Sequence, residues 1–160
     1  MKITLELHSY TNKCYNSYMG AATKKDFEFI DHTADVGVIA YGDDMRQAFA
    51  NAARALSSLI AEPEDIREVR HRDITVTADD EEGLLVEWLN ELIYLFDAEG
   101  LIFKRFDIND LNSRQLRARA YGEKIDPARH QLKTGVKAAT YHLLKVDRDK
   151  GSRVQVILDV

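Results

Sequence analysis

Two carboxylates four residues apart, an imidazole and a hydroxyl sit together in Asp31-His32-Thr33-Ala34-Asp35, directly after the apolar run Phe27-Glu28-Phe29-Ile30. Hard oxygen donors clustered where one strand ends and another begins suit a divalent cation or a metal-linked phosphate. The sequence closes on Leu158-Asp159-Val160, which sets a side-chain carboxylate beside a terminal one. Brought together, Asp35, Asp159 and the Val160 carboxylate would offer three or more oxygens, a set for Ca²⁺, Mg²⁺ or Mn²⁺ rather than zinc. The same residues also read as turn caps: Asp31, Asp35 and Thr33 can bond local backbone donors, and His32 can serve either carboxylate or face solvent. Chain ends usually fray. Here the alternation Val154, Val156, Leu158 argues for a half-buried strand that holds the last two residues in place.

Other groups of residues are weaker. Lys137, Tyr141 and His142 in the run Lys133–His142 could meet a phosphate or a partner, against the reading of a solvated turn leading into a strand. Arg114, Arg117 and Arg119 with Tyr121 lie on one strand candidate, and alternation puts Arg117, Arg119 and Tyr121 on one face. That face could be a patch for RNA or a plain solvated sheet surface. The chain has no Gly-rich phosphate loop, no dinucleotide fingerprint and no nucleophile elbow. Its five histidines have no zinc spacing, and Lys133-Thr134-Gly135 has no Ser-x-x-Lys to go with it. These are not the parts of a self-sufficient nucleotide-using enzyme.

The elements that must position these groups follow from periodicity. Residues 27–31 and 36–41 alternate as strands. Gly42-Asp43-Asp44 turns the chain, and Asp44 with Gln47 forms a variant capping box for a helix over 44–61. Its apolar stripe is Met45, Ala48, Phe49, Ala52, Leu56, Leu59 and Ile60, and Pro63 closes it. A strand over 68–78 and a capping signature at 79–82 lead to a second helix bearing Leu84, Leu85, Trp88, Leu89, Leu92, Ile93 and Phe96. Gly100 is placed to end that helix in the left-handed region. Strands are expected at 101–109, 114–123, 140–147 and 153–159, with a hairpin turn at Lys150-Gly151. The order β-β-α-β-α-β-β-β-β predicts a single α+β domain, two helices packed on a mostly antiparallel or mixed β-sheet sandwich.

With 160 residues the chain can bury a real core. A formal net charge of −5 is a poor footprint for direct binding to a nucleic-acid backbone and favours a cation or a protein as first contact. No apolar run nears a membrane span, no secretory signal is evident, and one cysteine, Cys14, allows no internal disulfide. These features predict a cytoplasmic protein with no membrane partner. Residues 1–25 differ in texture from the rest and are expected to form an extension or leader, with the domain over 26–160.

Four ordered motifs resemble the archease family: Phe29–Gly37, Ala120-Tyr121-Gly122-Glu123, Val136–His142 and the ending Leu158-Asp159-Val160. The resemblance spans about residues 26–160, and Gly135 departs from the acidic or polar residue expected before the third motif. It implies a small α+β protein that is not itself a ligase. Such a protein assists an RtcB-type RNA ligase in tRNA splicing and RNA repair, promoting guanylylation with GTP and multiple turnover. By the same resemblance the metal ligands fall on Asp35, Asp159 and Val160, with Asp31 as a companion, while His32, Lys137 and His142 stand as accessory candidates from the residues themselves. The competing classes are a stand-alone metal-dependent phosphoester hydrolase using Asp31, Asp35 and His32, and an RNA-binding chaperone-like module using the 114–121 face.

Overall fold

Asp44 begins the first helix with a reciprocal cap: its side chain accepts the Gln47 N–H at 2.8 Å, and Gln47 Oε1 accepts the Asp43 N–H at 2.6 Å. The computed structural model describes residues 25–160, so all of the expected extension except Lys25, including Cys14, lies outside the described residues. The elements are β1 (Phe27–His32), β2 (Asp35–Gly42), α1 (Met45–Ile60), a short 3₁₀ turn (Pro63–Asp65), β3 (Arg70–Thr77), α2 (Glu81–Glu99), β4 (Leu101–Leu111), β5 (Gln115–Lys124), β6 (Ala138–Asp147) and β7 (Ser152–Asp159). Their order is the one the periodicity predicts. Bounds shift by a residue or two: β3 begins at Arg70, β4 runs on to Leu111, β6 begins at Ala138, Asp80 rather than Asp79 caps α2 by accepting the Gly83 N–H, and Arg114 lies before β5. Gly100 ends α2 at φ +65°, as expected.

The strands make two separate sheets. One has the order β1-β2-β7-β6 and the other β3-β5-β4. Every pairing between them is antiparallel, so the mixed-sheet alternative drops out. Both helices touch strands of both sheets, and a single core cluster draws on all of them. This explains why α1 is buried more widely than its predicted stripe. Asn51, Ala53 and Ala55 are buried as well, because the helix has a sheet on each side. Small alanines let backbone approach backbone there. Asn51 remains satisfied by donating to the Tyr41 carbonyl at 2.7 Å. Trp88 is fully enclosed, and its indole N–H donates to the Phe49 carbonyl at 3.1 Å, joining the two helices.

Two glycines allow close approach. A Cβ on Gly37 would lie 2.2 Å from the Ile30 side chain, which crosses it, and one on Gly122 would lie 1.9 Å from the Ile102 carbonyl oxygen. No side chain fits at either place. Among the described residues no helix is long and apolar enough to cross a membrane.

Candidate functional site

The tip of the four-stranded sheet is built by a tight turn. His32 pairs with Asp35 across a two-residue loop, Thr33-Ala34, and Ala34 has φ +60°. A non-glycine residue there stores about 1–2 kcal/mol of backbone strain. Residues directly opposite in an antiparallel pair present their side chains on one face. Val36, Val38 and Ala40 on β2, and Val154, Val156 and Leu158 on β7, all enter the core. By alternation Asp35 and Asp159 therefore share the outer face. The register Val36↔Leu158 puts them one residue further on, side by side at the ends of neighbouring strands. His32 joins them through its pairing with Asp35. Asp31 does not: it pairs with Val36 and so belongs to the opposite face. As a companion to Asp35 it is displaced by the parity of the hairpin.

The far side of Asp159 is equally defined. It pairs with Ala138 on β6, and its carbonyl accepts the Lys137 N–H at 2.8 Å. The outer edge of β6 is held by α2, where Asn90 Oδ1 accepts the Ala139 N–H at 2.8 Å. Val160 packs against the core, so the last residues do not fray. Lys137 is exposed beside them. Between Thr140 and Lys145 the β6–β7 register breaks, and Leu143 takes φ +53° within the break. Such bulges re-aim side chains. Here the result is that His142 reaches His32, with ring centroids 5.1 Å apart and edge to face, although β6 and β1 are the two outer strands of the sheet.

A cation held here would draw on Asp35, Asp159 and the Val160 carboxylate. The donors fit in type, since carboxylates from adjacent strands supply hard oxygens. They fit in a second respect: His32 Nδ1 is a buried polar atom without a hydrogen-bond partner, 4.0 Å from Asp35 Oδ2. Among the described residues no three His, Cys, Asp or Glu side chains converge as a group that could hold a metal ion.

Two other charged regions contrast with the tip. On the outer face of the three-stranded sheet, Arg117, Arg119 and Tyr121 do share a face, but acids stand among them. Arg119 donates twice to Asp73, at 2.6 and 3.1 Å. Arg105 bonds Glu68 and Asp107 at 2.7 and 2.8 Å and stacks on Tyr121 with its guanidinium carbon 3.6 Å from the ring centre. Arg117 stands opposite Asp110 in the ladder. The surface is charge-balanced rather than basic.

The second region escapes a reading by motif. Glu123, at the end of β5, is buried and accepts from Arg129 at 2.7 Å, from the Arg67 N–H at 2.9 Å and from His130 Nε2 at 2.8 Å. His130 Nδ1 accepts the Asp126 N–H at 2.8 Å, which places the ring proton on Nε2. Burial opposes ionisation of Glu123, but the donors from Arg129, Arg67 and His130 outweigh it and bring its pKa down to about 2. The cluster fixes the segment from Lys124 to Lys137 that returns the chain to the tip. Its signal in the sequence was Glu123 followed within seven residues by Arg129 and His130.

This topology, with its acidic tip, has relatives. The profile of the Archease protein family matches residues 27–160. The chain is 39% identical over 142 residues to the archease of Pyrococcus furiosus, covering 85% of this chain and 99% of that protein. It is 35% identical over 141 residues to that of Methanosarcina mazei, covering 85% and 97%. The solution structure of protein 1598 from Methanobacterium thermoautotrophicum superimposes with a TM-score of 0.68 at 34% identity, covering 86% of this chain and all of that one. The chain belongs to the archease family.

Proposed function

We propose that this protein is a metal-binding accessory factor that stimulates guanylylation and multiple turnover of an RtcB-type RNA ligase. What supports the reading is the meeting of Asp35 and Asp159 at one tip, from strands far apart in sequence, with Val160 anchored behind them. When bound, a divalent cation neutralises triphosphate charge and orients it for in-line attack. The chain's own residues hold and present it. Asp35 and Asp159 supply the oxygens, the β6–β7 pairing and Asn90 keep them in register, and exposed Lys137 is bonded through its backbone N–H to Asp159 beside them. None of these roles requires a nucleophile on this chain. The balanced Arg face gives an RNA-binding reading little support.

The test is guanylylation of the ligase with GTP, with and without this protein. Addition of the wild type should raise both the rate and the number of turnovers. Asp35→Asn and Asp159→Asn should fold normally and stimulate poorly. Full stimulation by both variants would sink the reading.

A further inference from the structure

Helix α2 bridges one flank of the molecule. Asn90 ties it to β6 through Ala139, and Arg72 of β3 ties it to the other sheet by donating to Glu99 at 2.7 and 3.2 Å. Between these two ties runs the stripe Glu87, Glu91, Tyr94 and Ala98, at helical spacing. Tyr94 is 58% exposed, and Tyr141, across from Glu87 on β6, is 65% exposed. Neither ring has a hydrogen-bond or aromatic partner among the described residues. Tyr141 and the start of α2 frame a cleft of about 850 Å³, where Asp79, Asp80 and Glu87 stand against a single cation, Arg114. Asp80 is committed to the Gly83 N–H, and Glu81 beside it to Arg148. Asp79 and Glu87 enter no ion pair among the described residues.

We propose that the α2–β6 flank is a docking surface for a basic segment of a partner protein, with Tyr94 and Tyr141 as anchors and Glu87 as the charge between them. The inference rests on the accessory-factor reading above, which makes that partner the ligase. Exposed tyrosines are the side chains that protein interfaces use as anchors, because a rigid ring buries much area for little lost freedom. A ring beside unpaired carboxylates takes the apolar stem of a lysine or arginine on its face and the cationic head on the acids. The same acids repel a phosphate backbone, so the charge selects a basic polypeptide over a nucleic acid. The Arg105 and Arg119 surface offers no such opening, since its ions are already paired. The flank also adjoins the strand that supports the candidate site, because Ala138 of β6 pairs with Asp159. A partner gripping α2 would therefore hold that end of the molecule against itself.

The full chain and the ligase are titrated by calorimetry at low and high salt, so that binding is read separately from guanylylation. The wild type should bind, and more weakly at high salt. Tyr94→Ala and Tyr141→Ala should each weaken binding by about tenfold or more. Glu87→Gln should weaken it by about threefold and flatten the salt dependence, and Glu87→Lys should weaken it further. All four side chains removed are exposed, so thermal melts of the variants should match the wild type. Unchanged affinity in all four variants, or tighter binding by Glu87→Lys, would overturn the docking surface while ligase stimulation kept the accessory role in place. Binding of tRNA by the wild type, lost in Tyr94→Ala and Tyr141→Ala, would assign the flank to a nucleic acid and equally overturn the proposal. A ligase neither bound nor stimulated by the wild type would end the accessory reading, and the docking surface with it.

Discussion

The two sheets treat charge in opposite ways. On the three-stranded sheet Arg105 and Arg119 each meet a carboxylate, and Arg105 lies over the Tyr121 ring. At the tip of the four-stranded sheet two carboxylates are neighbours, an imidazole nitrogen is left unbonded, and the non-glycine Ala34 takes positive φ. Like charges side by side and strained backbone persist only where the surrounding structure over-determines them, and they concentrate where proteins bind. The Arg grid is a surface complete in itself. The tip is a surface that a cation would complete.

Several perturbations separate the two regions. The largest effect should come from Asp35→Asn, with a loss of about ten- to a hundredfold in ligase turnover, the range seen when a metal shell is disturbed, and an unchanged melting temperature. Next is Glu123→Ala, which leaves Arg129 and His130 facing a void. It should lower unfolding free energy by about 3 kcal/mol in a urea titration. The same group predicts a pH dependence. Its folded pKa of about 2 lies below its usual value of 4.5, so its contribution is present above the usual value and is lost as pH falls from there through about 2. Glu123→Gln should flatten acid unfolding across that window. Ala34→Gly relieves the turn and should raise stability by about 1 kcal/mol, with ligase stimulation retained if strain is only the consequence of the tight hairpin. Smallest of all, Arg119→Ala should barely move the melting temperature, with any change vanishing in high salt. A large loss of stimulation from Arg119→Ala would instead move the function to the wrong sheet.

Much of this was legible in local patterns. Val36, Val38 and Ala40, and Val154, Val156 and Leu158, mark which face of β2 and β7 is buried, and therefore where Asp35 and Asp159 point. Hairpin parity would also have set Asp31 apart, because a two-residue turn that pairs residue 32 with 35 must pair 31 with 36. Strand order was not legible. That β7 lies beside β2 is a contact across more than a hundred residues, which no local period encodes, and it was the family likeness that turned a bare pairing of carboxylates into an expectation. The division into two sheets and the double burial of α1 are equally non-local. Alanine is indifferent to which side of a helix faces a sheet, so Ala53 and Ala55 gave no hint. Glu123 was hidden for a different reason: a carboxylate is ordinarily solvated, and only the crowd of donors around it makes burial tolerable.

Asn90 has a reach beyond the site it steadies. Its amide occupies both backbone groups of Ala139, accepting the N–H at 2.8 Å and lying 3.5 Å from the carbonyl oxygen, much as a further strand would. An outermost strand normally invites foreign chains to add on. At this margin a helix side chain takes the place that a further strand would fill.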